Sequence, residues 1–144
     1  LLLVVVATAA GTLAHLVQRR RPDAPVRTGW SVPQQLDRRD FDRPDAPWLV
    51  AVFTSARCET CSSVVEVASP LESEAVAFHE VEAGARKDLH DRYAVEAVPM
   101  VLLVDAVGVV RSHHLGPVSA THLWGSLAEL RQPGCTPDGC SAGD

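Results

Sequence analysis

Apolar positions along the chain fall into blocks that predict three buried strands. The runs at 48–54 and 98–105 are apolar almost throughout, as expected of strands covered on both faces. A third run, at 75–81, predicts a further strand between them in the sequence. These three segments are the expected centre of a sheet.

The segments between the strands carry helical periodicity. After the first strand, apolar residues recur with helical spacing and predict a core-facing stripe that Pro70 ends: Val64, Val65, Ala68 and Leu71. Residues 85–94 predict a second helix, with Leu89 and Tyr93 on its buried side. His90 and His122 are interpreted as ordinary polar positions on predicted helices.

The last part of the pattern predicts a hairpin and a closing helix. A tight turn at 106–108 joins 98–105 to a strand at 109–115, which favours antiparallel pairing. Ser119 is the predicted cap of a final helix whose inner face carries leucines at 123, 127 and 130. The sequence therefore predicts an α/β domain of three layers over residues 33–131, with a central mixed sheet flanked by helices.

The first 17 residues contain no Asp, Glu, Lys or Arg. This length is at the short edge of a membrane span, so we expect residues 1–18 to be a single-pass transmembrane anchor, truncated at its start. The competing interpretations are a cleaved signal peptide and a buried core helix. Arginines at 19–21 favour a cytoplasmic location for the rest of the chain, with an extracytoplasmic one as the alternative. Residues 19–32 have the composition of a linker.

Charge is divided unevenly along the chain. Residues 1–28 carry four arginines and one aspartate, whereas the remainder carries nine basic and seventeen acidic residues. An acidic domain does not favour nucleic acid as a partner, because that binding depends on basic groups that neutralise phosphates.

Four cysteines form two local pairs, of which Cys58 and Cys61 follow the first buried strand. If a helix starts at Cys58, both thiols lie in its first turn, where its positive end favours a thiolate. A CxxC at such a junction is typical of a thiol–disulfide redox centre. The second pair, Cys135 and Cys140, lies in a predicted mobile tail over 132–144. Four interpretations of these two thiols are open. They are incidental, they form a disulfide that closes a small loop, they relay electrons to the first pair, or they join the first pair in a four-thiolate zinc site.

With these elements placed, residues 33–131 resemble the thioredoxin family. The strand–CxxC–helix element comes first, and the segment from Tyr93 to Pro99 resembles the family's Tyr-x-Val-x-x-Val-Pro pattern. Gly108 in the hairpin and Gly116 before the last helix complete the likeness. With the apolar N-terminus, the chain resembles membrane-anchored bacterial members, above all actinobacterial ones.

The resemblance implies a role for each matching residue. Cys58 is the expected nucleophile, and Cys61 is the resolving thiol that releases the mixed disulfide. Pro99 is expected to follow a cis peptide bond, and the backbone of Val98 to pair with the substrate main chain. The family needs no cofactor, and its partners are disulfide-containing proteins and an upstream reductant.

Five positions depart from the familiar pattern. Glu59 and Thr60 separate the cysteines, Arg57 replaces an aromatic residue, and Met100 follows the proline. Val52 occupies the place of a buried acid, so a water, His79 or Glu80 is left to accept the proton of Cys61. The expected function is a membrane-tethered thiol–disulfide oxidoreductase that reduces protein disulfides. The alternatives are a non-catalytic binding module that uses the Val98–Pro99 groove, and a zinc-binding protein.

Overall fold

Four strands form one mixed sheet in the computed structural model, which describes residues 29–134. Their order across the sheet is β2-β1-β3-β4, with β1 parallel to β2 and antiparallel to β3. The strands are β1 (Trp48–Thr54), β2 (Val76–Glu82), β3 (Met100–Asp105) and β4 (Val110–Leu115). The mixed sheet that the apolar runs predict is thus present, and β1 lies at its centre.

Three α-helices connect and cover the strands. They are α1 (Cys61–Ala68), α2 (Lys87–Arg92) and α3 (Ala120–Arg131). As predicted, Pro70 lies where α1 ends, within a short 3₁₀ turn at Ser69–Leu71. Ser119 caps α3 by accepting a hydrogen bond from the backbone N–H of His122.

The sheet separates two apolar cores. On one face, α1 and α3 bury their leucines and valines against alternate residues of β1 and β3. On the other face, α2 and the segment before β1 cover the remaining residues of the same strands. Because successive side chains of a strand point to opposite faces, a strand at the centre of this sheet must be apolar on both, as β1 is.

The segment before β1 docks onto the β3–β4 hairpin. The N–H of Leu36 donates to the carbonyl of Gly108 at 2.8 Å, and Gln35 bridges to Val109. Arg38 is buried here, and its guanidinium donates to the carbonyl of Asp105 at 2.9 Å. Nearby, the Asp37 carboxylate pairs with the guanidinium of Arg39 at 2.7 Å.

The structure corrects two predicted element boundaries. The helix after β1 begins at Cys61 and not at Cys58, because the N–H of Cys58 closes a turn onto Ser55 and the first helical bond runs from Val64 to Thr60. Strand β3 begins at Met100 and not at position 98, where Pro99 lacks an N–H for the ladder.

The structure describes none of the predicted anchor and only the last part of the predicted linker. Residues 1–28, and with them the whole predicted span, lie outside the described residues. Within residues 29–134, no helix is long and apolar enough to cross a membrane.

His114 is the less exposed member of the His113–His114 pair on β4. It lies opposite Val101, which belongs to the core beneath α3, and its buried Nε2 finds no hydrogen-bond partner among the described residues. Burial, with His113 and His122 nearby, lowers the pKa of His114 below its usual value.

We therefore expect acid to destabilise the fold partly through His114. A histidine with a lowered pKa binds protons more readily when unfolded, so its contribution to stability is present at neutral pH and is lost as the pH falls below about 6.5. Urea unfolding at several pH values should show a smaller acid loss for His114→Gln than for the unchanged chain. His113→Gln removes an exposed histidine and only a secondary cause of the lowered pKa, so its acid loss should lie between those of the other two proteins; parallel losses in all three proteins would contradict the prediction.

Candidate active site

A disulfide joins the two cysteines of the CxxC stretch. The Cys58 and Cys61 sulfurs are 2.15 Å apart and their Cα atoms 5.5 Å apart. Cys61 is buried, at 4% exposure, whereas Cys58 is only half-buried. The two thiols are therefore chemically unequal: an outside molecule reaches the sulfur of Cys58 first.

Backbone contacts hold the disulfide at the end of β1. After Thr54 the chain turns, and the N–H of Cys58 donates to the carbonyl of Ser55 at 3.0 Å. The N–H of Ala56 donates to the Glu82 carboxylate at 3.0 Å, which ties this loop to the end of β2. The loop is thus fixed by two strands of the sheet.

Cys61 is the first residue of α1, and Cys58 precedes the helix by three positions. The first N–H groups of a helix have no intrahelical partner and carry its positive end. Both sulfurs therefore lie at the end of α1 that favours negative charge, although Cys58 lies just outside the helix and not in its first turn.

An open cleft of about 510 Å³ adjoins Cys58. We call it the Cys58 cleft, and its lining residues are Ser55, Arg57, Cys58, Glu59, Thr60 and Val98. Arg57 and Glu59 are exposed and bring one charge of each sign to it. The cleft thus brings Val98, which is forty residues away in sequence, to the exposed sulfur.

The Val98–Pro99 peptide bond is cis. Pro99 is buried, and its carbonyl accepts the N–H of Gly116 at 2.9 Å, which joins the start of β3 to the end of the hairpin. The structure therefore brings Cys58, Cys61 and Val98 to one region. The pairing of Val98 with a substrate main chain stays a prediction.

A second cleft, of about 320 Å³, opens beside both cysteines. We call it the Glu80 cleft; it is lined by Thr54, Ser55, Ala56, Cys58, Cys61, Ser62, Glu80 and Glu82. The Thr54 hydroxyl donates to Glu80 Oε1 at 2.8 Å. Hydrogen bonds from the backbone N–H groups of Ala85, Ala56 and Gly84 lower the pKa of Glu82, so that carboxylate stays ionised and anchors the loop.

Two histidines near β2 have structural surroundings. His79 lies on the other side of the sheet, edge-on to Phe41 and 3.1 Å from the Asp42 carboxylate. His90 is not the ordinary polar position that its place in the sequence suggested. It is buried, with Nε2 2.9 Å from the carbonyl of Val81, and because a carbonyl only accepts, Nε2 carries the proton.

Cys135 and Cys140 lie outside the described residues, so their relation to the disulfide stays a prediction. No group of three metal-ligating side chains occurs in the part of the chain that the structure describes. A four-thiolate zinc site would need both tail cysteines and therefore falls outside it as well.

Comparisons with known proteins find similar structures but no similar sequences. A thioredoxin mutant from Halobacterium salinarum NRC-1 superposes with a TM-score of 0.55 at 19% identity, over 70% of this chain and 95% of its own. A malarial protein superposes with a TM-score of 0.53 at 16% identity, over 60% of this chain and 98% of its own. The chain has the thioredoxin fold. No protein-family model and no curated protein matches it.

Within the thioredoxin fold of this chain, three residues that the CxxC and Val–Pro motifs indicate line the two clefts at the disulfide: Cys58, Cys61 and Val98. The motifs do not indicate Thr54 and Glu82, which end the two parallel strands and shape the loop. The sequence signal that could have indicated these two residues is their position, since each is a polar residue at the end of an apolar strand. The comparisons give no support to membrane attachment or to an actinobacterial source.

Proposed function

We propose that the protein is a thiol–disulfide oxidoreductase that reduces protein disulfides through a mixed disulfide at Cys58. The observation that carries the proposal is the disulfide between a half-buried and a buried cysteine, placed at the start of α1 beside an open cleft. Dithiol chemistry needs one sulfur that meets the substrate and a second that remains within bonding distance of the first, and this arrangement supplies both.

The reaction begins with the reduced dithiol. The Cys58 thiolate attacks one sulfur of a substrate disulfide, forms a new S–S bond and expels the other substrate sulfur as a thiolate. The Cys61 thiolate then attacks the Cys58 sulfur, which releases the second substrate sulfur and closes the Cys58–Cys61 disulfide. Two electrons pass from the dithiol to the substrate, and an upstream dithiol reductant returns them.

The reductive direction rests on location. We propose that residues 1–18 tether the domain to the cell membrane and that the domain faces the cytoplasm, where the thiol pool favours reduction. The arginines at 19–21 support this orientation. On the other side of a membrane the same dithiol would oxidise or isomerise its substrates instead.

Replacing the resolving cysteine should trap substrates. In Cys61→Ser, Cys58 still attacks a substrate disulfide, but nothing within the site releases the product. We expect mixed disulfides with substrates to accumulate on this variant in cells. A reducing agent should cleave these adducts. Non-reducing electrophoresis followed by mass spectrometry measures them and identifies the partners.

The double change Cys58→Ser, Cys61→Ser is the control, since it keeps the clefts and removes both sulfurs. Adducts on Cys61→Ser that are absent from the double variant support reaction at Cys58. Equal adducts on both variants, or none on either, would contradict the proposal and favour the binding-module alternative.

A further inference from the structure

The resolving step of the dithiol reaction needs a group that accepts the proton of the Cys61 thiol. Cys61 must become a thiolate before it attacks the Cys58 sulfur, because the thiol itself is a poor nucleophile. Cys61 is 4% exposed, and burial among apolar groups opposes its ionisation. Val52, which lies on the same face of the sheet beneath α1, has no proton-accepting group.

Strand alternation decides which side chain of β2 faces Cys61. Val76 belongs to the core beneath α1 and Ala77 to the opposite core, so even-numbered positions of β2 face α1. Glu80 therefore faces α1 and lies opposite Val52 in the parallel register. His79 faces away and contacts Phe41 and Asp42 on the other side.

The lining of the Glu80 cleft points to the same residue. Among the described residues, the groups that titrate in this cleft are Cys58, Cys61, Glu80 and Glu82. Glu82 accepts backbone hydrogen bonds with both oxygens, Oε1 from Ala56 and Oε2 from Gly84 and Ala85. Its lone pairs are engaged by the loop, and its lowered pKa makes it a poor base.

The Glu80 carboxylate is oriented by a hydrogen bond and is still able to accept a proton. The Thr54 hydroxyl donates to Oε1 at 2.8 Å, and this contact orients the carboxylate from the end of β1. The side chain is also exposed to solvent at the rim of the cleft. A carboxylate in this position has a route by which a proton that it takes from the cleft returns to bulk water.

We propose that Glu80 accepts the proton of Cys61 during the resolving step, with Thr54 as its positioning residue. The Cys61 S–H bond breaks and its proton passes to the Glu80 carboxylate, directly or through one water. The Cys61 sulfur then bonds to the Cys58 sulfur as the Cys58–substrate bond breaks. The departing substrate thiolate takes up a proton from Glu80 or from solvent, so charge and protons balance.

This inference rests on the proposed function, and a two-phase stopped-flow experiment separates them. The probe is dithiobis-nitrobenzoate, a chromogenic aromatic disulfide, used at one equivalent on reduced chain in which Cys135 and Cys140 are changed to serine. Attack by Cys58 releases the first thionitrobenzoate in a bimolecular phase. Resolution by Cys61 releases the second in a phase that does not depend on concentration.

Glu80→Gln should leave the first phase unchanged and slow the second about tenfold at pH 7. We expect less than the ~10²–10⁴-fold of general acid–base catalysis because water also accepts protons at this open site. The rate difference between Glu80→Gln and the unchanged chain should shrink as the pH rises well above the ordinary thiol pKa of about 8.5, because the buried Cys61 thiol ionises without a base only at higher pH. Thr54→Val should slow the second phase by a smaller factor, and Glu80→Asp should restore part of the rate.

Glu66→Gln is the matched control, because it removes the same charge from the exposed side of α1 and does not line the cleft. It should match the unchanged chain in both phases. The role of Glu80 is overturned if the second phase of Glu80→Gln is as fast as that of the control. It is also overturned if the rate difference between Glu80→Gln and the unchanged chain stays constant with pH. Either result leaves the proposed function standing. An unchanged chain without a first phase overturns the proposed function itself.

Discussion

Cys58→Ser is expected to abolish disulfide reduction, with a loss of at least about 10³-fold in turnover. A serine hydroxyl is not ionised at neutral pH, so the variant has no nucleophile at the one cysteine of the pair that is open to the Cys58 cleft. Cys61 cannot replace it, because it is 4% exposed. Turnover of a disulfide substrate with an added dithiol reductant measures the effect.

The matched control changes the other two cysteines. If Cys135→Ser, Cys140→Ser keeps full turnover, the reaction belongs to Cys58 and Cys61 alone. A partial loss would favour the relay that their spacing in the tail suggested. Cys58→Ser with the activity of the unchanged chain would remove the enzyme interpretation and favour a binding module.

Much of this fold follows from periodicity alone. The three apolar runs and the hairpin turn predicted all four strands, because residues buried on both faces of a sheet leave an unbroken apolar signal. The start of α1 was wrong by three residues. A helix begins where backbone hydrogen bonds begin, and the turn from Ser55 to Cys58 has no composition that separates it from a first helical turn.

Contacts between residues that lie far apart in the chain could not be predicted from the sequence. Arg38 is buried because a distant carbonyl, that of Asp105, accepts from its guanidinium, and a charged residue in a charged stretch gives no sign of this. His79 and Glu80 were equal candidates for the proton of Cys61. Alternation places them on opposite faces, but only the packing of β2 shows which face meets α1.

The largest expected loss of stability outside the cores comes from Gly108→Ala. Gly108 has a φ of +87°, and an added Cβ would lie 2.1 Å from the carbonyl oxygen of Leu36. The left-handed backbone costs an alanine about 1–2 kcal/mol. The overlap with backbone must also be relieved, which breaks the hydrogen bond from the Leu36 N–H to the Gly108 carbonyl. We expect a total of about 3 kcal/mol or more, and a Tm lower by more than about 10 °C.

Gly116→Ala separates the two causes of that loss. Gly116 also has a positive φ, of +82°, but no described atom outside Gly116 and its two chain neighbours lies within 4 Å of its added Cβ. It should therefore lose only the conformational part, about 1 kcal/mol. Urea unfolding of both variants measures the difference, and similar losses in the two would contradict the docking of Leu36 against the hairpin. Since that docking holds the segment before β1 on the face of the sheet opposite α1, Gly108→Ala should weaken the fold while leaving the Cys58–Cys61 chemistry of the surviving folded protein intact.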